Sequence, residues 1–387
     1  MRPSPLPYGR HSLDEDDLRA VAEALGGDWL TTGPRVAEFE TTFARAAGAR
    51  HAVAVSSGTA ALHTAMHMLD LAPGEEVIVP AMTFAATANC VVYERATPVF
   101  ADVDPDTLLV GAAQAEAVLS QRTRALIVVD YAGQPADYAS LAQWARRRNI
   151  ALVADACHSL GGSSAGKPVG SLARLNCFSL HPVKAVSSGE GGVITTDDDE
   201  LAERMRRFRN QGLVRPDLIE RPWHAEQLEL GWNYRLTDFQ CALAASQLRK
   251  LPAWIDRREQ LAARYDAACE QIQALQPLAT LGGRRHARHL YVVRLELERL
   301  SAGRDTIMRA LRAEGINVQV HYRPVHWQPY YRERYPTRPG QCPVAERASE
   351  RILSLPLFPA MTDADQDDVI RALHKVVAHY LKESRLE

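Results

Sequence analysis

The sequence predicts an α/β protein with a large domain on a mostly parallel central sheet and a small C-terminal α+β domain. Three observations point there. From residue 51 onward, short apolar runs alternate with helical segments. Those runs are rich in Val, Ile and Ala without strict polar alternation, the pattern of strands buried on both faces. After about residue 240 the pattern changes to a long helical stretch, then to mixed strands and helices. Strands that alternate with helices favour parallel pairing, because each crossover helix covers one face of the sheet.

The elements follow in order. Residues 14–25 (DEDDLRAVAEAL) read as an amphipathic helix with acids in its first turn, and residues 35–47 repeat the helical pattern. The Gly- and Pro-bearing stretch 26–34 is a loop between them. Strand-like runs are expected at 51–57, 75–80, 97–103, 125–131, 151–156, 176–180 and 191–196, with helices near 59–70 and 84–94 among them. A helix over roughly 237–275 is expected to kink or break at Pro252, which lacks an N–H. Strands at 289–297 and 317–322, with helices near 304–314 and 362–381, complete the smaller unit. The resulting division is 1–250, with an N-terminal arm over 1–35, and 251–387.

Composition excludes several functions. A net charge of −2 gives no field to recruit nucleic acid or an anionic membrane. The N-terminus carries Pro and acid where a signal peptide has an apolar core, so a soluble, cytoplasmic protein is expected. No two cysteines form a CxxC pair, and the thiols are expected to be reduced and mostly buried. His63 and His67 have metal-compatible spacing on a helix but no third ligand, so no metal is expected. The arginine-rich stretches 204–209 and 284–288 read as solvated faces. The aromatic cluster 327–335 suits a nucleotide contact or a packed interface equally.

Three features carry chemistry. Ser56-Ser57-Gly58-Thr59-Ala60 follows a strand and opens a helix, where backbone N–H groups can approach an anion. Asp155 ends a buried strand, where α/β folds place ligands; it is a ligand-binding acid or a helix N-cap. Lys184 sits in a loop poor in other charge, between two strand-like runs. Most lysines are plain surface groups. A desolvated one has a depressed pKa and can attack a carbonyl at neutral pH.

Together these features resemble the DegT/DnrJ/EryC1/StrS family of sugar aminotransferases. The resemblance runs through WLTTGPRVAEFE (29–40), SSGTAALH (56–63), VIVPAMTFAATANC (77–90), VDYAGQP (129–135), VADACHSLGG (153–162), CFSLHPVKAVSSGEGGVITT (177–196), LGWNYRLTDFQCALAASQL (230–248) and VQVHYRPV (318–325). It implies the type I fold of pyridoxal 5′-phosphate (PLP) enzymes. By resemblance, Lys184 is the Schiff-base lysine, Asp155 the partner of the ring nitrogen, and His158 the neighbour of the phenolic oxygen. Phe84 matches the aromatic that stacks on the ring, and Gly58, Thr59 and Ser179 match the phosphate cup. Asn233 resembles a residue that reaches the phosphate from a neighbouring subunit, implying a homodimer with shared sites.

Within the family, VDYAG, SLHPVK and QVHYRPV are most similar to the subgroup of pseudaminic-acid synthesis. That similarity implies amino transfer from L-glutamate to C4 of a UDP-linked 4-keto sugar, giving UDP-4-amino-4,6-dideoxy-N-acetyl-β-L-altrosamine. Tyr8, Asp28, Trp29, Leu30, Thr31, His321 and Tyr322 would line the sugar-nucleotide pocket. Leu180 and Ser187-Ser188 depart from the subgroup, which often has an aromatic and Thr-Thr there. The alternative substrates are a GDP-linked hexose giving perosamine, or another nucleotide sugar. A rival of another class is a non-catalytic PLP-fold binding or regulatory subunit, against which the retained Lys184 argues.

Overall fold

Helix starts are set by caps written in the sequence. In a computed structural model describing residues 4–215, 221 and 223–382, Asp14 accepts from the Asp17 amide at helix α1 (Glu15–Leu25), and Asp17 returns the bond. The first three residues of the expected arm and the last five of the expected C-terminal domain lie outside the described residues. Helix α2 (Pro34–Ala47) opens on a proline, whose missing N–H would have had no helical partner, and ends at Gly48 in the left-handed region.

Among the described residues the main sheet has seven strands: β1 (His51–Val55), β2 (Glu76–Pro80), β3 (Thr97–Ala101), β4 (Thr123–Val129), β5 (Ala151–Asp155), β6 (Leu175–Ser179) and β7 (Gly192–Thr196). Their order is β1-β7-β6-β5-β4-β2-β3. Pairing is parallel from β6 through β3, and β7 runs antiparallel to both its neighbours. Helices α3 (Gly58–His67), α4 (Ala85–Tyr93), α5 (Tyr138–Arg148) and α6 (Asp199–Phe208) are interspersed with these strands. The strands' Val, Ile and Ala side chains are almost wholly buried, as non-alternating runs require. Phe39, Phe43 and Phe178 continue the core as edge-to-face pairs, with centroids 5.7 and 5.2 Å apart.

Helix α7 (Asp238–Cys269) passes through Pro252 without interruption, where the sequence suggested a kink or break. The boundary expected between residues 250 and 251 falls inside this helix. Its Cys241, Ala244 and Leu248 pack in the main core, while Leu261, Ala262 and Tyr265 pack in a second one. That second core covers an antiparallel sheet of β8 (Leu275–Pro277), β9 (Tyr291–Leu295) and β10 (Ile352–Leu355), with helices α8 (Arg304–Ala313) and α9 (Asp363–Tyr380). The strand expected over 317–322 does not form; only Gln319 bridges, to Ser354. Its backbone is used elsewhere: Tyr131 Oη donates to the His321 carbonyl, and the Tyr322 amide donates to Met82 Sδ. Among the described residues no helix is long and apolar enough to cross a membrane.

Candidate active site

The parallel strands end along one sheet edge, and their last residues meet there. Val129 of β4 pairs with Asp155 of β5, which pairs with Cys177 of β6. Such carboxyl-end edges are where α/β sheets hold ligands. A cavity of about 430 Å³ opens at this edge. Tyr8, Gly58, Thr59, Phe84, Asp155, His158, Ser179, Lys184, His321 and Tyr322 line it.

One wall is an anion cradle. Ser57 ends the extended segment and caps α3, accepting from the Ala60 amide at 3.0 Å. Gly58 and Thr59 therefore begin the helix, with free amides and the positive end of its dipole beside the cavity. A side chain at residue 58 would put its Cβ 2.8 Å from Ser179 Cβ; one at Gly192 would lie 2.2 Å from the Ser57 carbonyl oxygen. Glycine at both positions lets the starts of α3 and β7 close on the end of β6.

The opposite features are an acid and an amine. Asp155 is buried; its Oδ2 accepts from Thr87 Oγ1 at 2.7 Å and its Oδ1 from the Cys157 amide at 3.3 Å. Lys184 follows β6 in a turn, its amide donating to the His181 carbonyl at 2.8 Å. Its side chain is open to the cavity yet ringed by protein. Burial pushes its amine below the ordinary lysine range, against an upward pull from Cys157 and Asp155.

The remaining wall is imidazole and phenol. His158 Nε2 lies 3.1 Å from Tyr322 Oη, and the His289 ring sits 4.4 Å from that of His158. His158 Nδ1 is buried without a protein partner among the described residues. Burial, then the charge of Lys184, holds His158 well below its ordinary value and His321 down to about 4. These rings are therefore neutral near pH 7. The sign of the consequence follows directly. Unfolded histidine takes up a proton below about pH 6.5, whereas folded His321 resists until about 4. The unfolded chain binds more protons in that window, so stability falls as pH drops through it. At pH 5 the His321 contribution to that loss is roughly 2 kcal/mol. Unfolding midpoints at pH 7 and pH 5 should lie closer together in His321→Gln than in the parent; an unchanged gap would contradict the assignment.

Not every residue singled out from sequence comes to this cavity. Asp28, Trp29, Leu30 and Thr31 are exposed and do not line it, and neither does Asn233, which bridges to Asn210. Conversely, Thr83, Thr87, Cys157, His181, Glu190 and His289 line it without having been given a role. Thr87 had a readable signal, since it lies one helical turn beyond Thr83. His289 had none, since it precedes β9 of the other sheet. His63 and His67 both bond Glu94, at 2.9 and 3.2 Å. A wider depression of about 840 Å³ lies away from every motif residue, and its Arg124, Arg174 and Arg204 are tied up in ion pairs.

These residues fit a compact phosphorylated cofactor with a carbonyl and a ring nitrogen. The cradle suits the phosphate, and the acid suits a protonated nitrogen. Phe84, 60% exposed at the N-cap of α4, offers an uncovered aromatic face.

A model of the DegT/DnrJ/EryC1/StrS aminotransferase family matches residues 11–374. Among solved structures, the chain is similar to Helicobacter pylori PseC, an aminotransferase involved in the biosynthesis of pseudoaminic acid. They share 30% identity and a TM-score of 0.92, over 97% of this chain and 100% of that one. It is also similar to the aminotransferase TlmJ from Streptoalloteichus hindustanus, at 32% identity and a TM-score of 0.90, over 97% and 99% of the two chains. Streptococcus pneumoniae Spr1654, in its PLP form, shares 29% identity and a TM-score of 0.90, over 98% and 100%. The chain belongs to the DegT/DnrJ/EryC1/StrS aminotransferase family, with the type I fold of PLP enzymes and pyridoxal 5′-phosphate as its cofactor.

Proposed function

We propose that the chain transfers the amino group of L-glutamate to C4 of a UDP-linked 4-keto-6-deoxy-N-acetylhexosamine, giving UDP-4-amino-4,6-dideoxy-N-acetyl-β-L-altrosamine. The observation that carries this reading is the full-length likeness to Helicobacter pylori PseC. Lys184 and Asp155 on one cavity support the chemistry.

When bound, PLP supplies a carbonyl for the amine and a ring that delocalises the electrons of a broken Cα–H bond. Lys184 would hold the cofactor, and its Nζ would move a proton off the donor's Cα. Burial keeps a larger share of that amine uncharged, as the step requires. Asp155 accepts from the ring nitrogen and keeps it protonated. His158, neutral and held by Tyr322, would stand beside the phenolic oxygen. Phe84 covers the ring face, and Gly58, Thr59 and Ser179 bind the phosphate.

Tyr8, His321 and Tyr322 face the sugar from the same chain. Asp28–Thr31 and Asn233 serve the cavity of a second copy, in a homodimer. The exposed apolar side chains of Trp29, Leu30 and Trp232 suit that contact. The free thiols suit a reducing, cytoplasmic setting.

A panel of UDP-, GDP- and dTDP-linked 4-keto sugars with glutamate tests the proposal. Release of 2-oxoglutarate should be at least about tenfold faster with the UDP-linked N-acetylated sugar, a difference of one good polar contact. NMR should show a new amine at C4. Preference for a GDP-linked hexose would replace this reading with perosamine formation.

A further inference from the structure

We infer that Thr87 is a positioning residue for the reaction, holding the Asp155 carboxylate in place through a directed hydroxyl chain that begins at Thr83. The inference rests on the proposed partnership of Asp155 with the ring nitrogen and carries it one contact further from the cofactor.

Asp155 stands in a demanding place. It is 6% exposed, with the buried thiols of Cys90 and Cys177 among its neighbours. An ionised carboxylate there is stable only if its oxygens accept hydrogen bonds. Apart from the Cys157 amide, 3.3 Å from Oδ1, the short contact is Thr87 Oγ1, 2.7 Å from Oδ2.

The donor order is fixed by valence. A carboxylate only accepts, so the Thr87 hydroxyl proton must point at Asp155. Thr87 Oγ1 is then left to accept, and Thr83 Oγ1 lies 2.8 Å away, buried, to donate. Thr83 precedes α4 and Thr87 lies in its first turn, so the two hydroxyls share one face. Each donated bond polarises the next, which strengthens the hold on the carboxylate.

That matters at the ring. A carboxylate free to turn would lose its aim at the ring nitrogen. The segment 83–87 thus combines two tasks, with Phe84 facing the cavity and Thr87 orienting the acid.

Thr87→Val keeps the branched shape and removes only the hydroxyl. In the holoenzyme it is expected to lower kcat while leaving KM for the nucleotide sugar near the parent value. It should also move the pH midpoint of the visible absorbance. Titration of the apoprotein with PLP should show affinity weakened about tenfold, the scale of one hydrogen bond to a charged group. Thr87→Ser should restore all three. In an Asp155→Asn background, Thr87→Val should change PLP affinity by less than about twofold, because its route to the cofactor is gone. Parent-like affinity and absorbance in Thr87→Val, or an equal loss in the Asp155→Asn background, would overturn the inference. If Asp155→Asn itself left affinity and absorbance unchanged, the partnership of Asp155 with the ring would fall, and this inference with it.

Discussion

Replacing Lys184 by alanine is expected to lower turnover by about three orders of magnitude or more, the scale set by losing both covalent and acid–base catalysis at one group. Among the described residues it is the only lysine lining the cavity, so no second amine can take its place. Burial favours its uncharged form, the nucleophilic one. The fold should survive, since among the described residues the Lys184 amine has no hydrogen bond or ion pair to lose. Release of 2-oxoglutarate from glutamate measures the effect, and the visible band of the lysine-bound cofactor should vanish with it. Activity within tenfold of the parent would remove Lys184 from the mechanism.

The second large effect is expected at Asp155. Asp155→Ala should reduce kcat by about 10²–10³, typical of deleting a buried electrostatic partner of the reacting system. It also leaves the Thr87 hydroxyl without its acceptor. That is expected to lower stability by about 1–3 kcal/mol. Steady-state rates and a denaturant melt separate the two losses. A variant destabilised but fully active would make Asp155 a structural cap, the other reading its sequence context allowed.

What could be read from the sequence follows physical locality. The buried strands were legible because Val/Ile/Ala runs must be covered on both faces, and the helix starts because Asp14 and Ser57 are local caps. The segment 317–322 has strand-like composition, yet its backbone bonds Tyr131 and Met82, partners more than 180 residues away that no local pattern reveals. The tetrapeptide ILSL (352–355) is too short for its periodicity to separate strand from helix, and it became β10. Pro252 does not break α7, since a long helix packed on both cores tolerates one lost bond.

The cavity divides in the same way. Asp155 and the Ser57–Thr59 turn stood out because they sit at or just beyond a strand end, and Lys184 because it follows one in a loop poor in other charge. His289 did not, since it precedes a strand of the other sheet and its place in the wall depends on how the two sheets meet. Asp28–Thr31 and Asn233 came only from resemblance, and on this chain they face outward.

The most direct test of the account is chemical capture of the cofactor on its lysine. Holoenzyme reduced with borohydride, digested and analysed by mass spectrometry should carry the reduced pyridoxyl phosphate on the peptide containing Lys184. Prior incubation with excess glutamate should remove the label. Label on a different lysine, or none on any peptide of a fully active preparation, would contradict the assignment of this cavity as the catalytic centre.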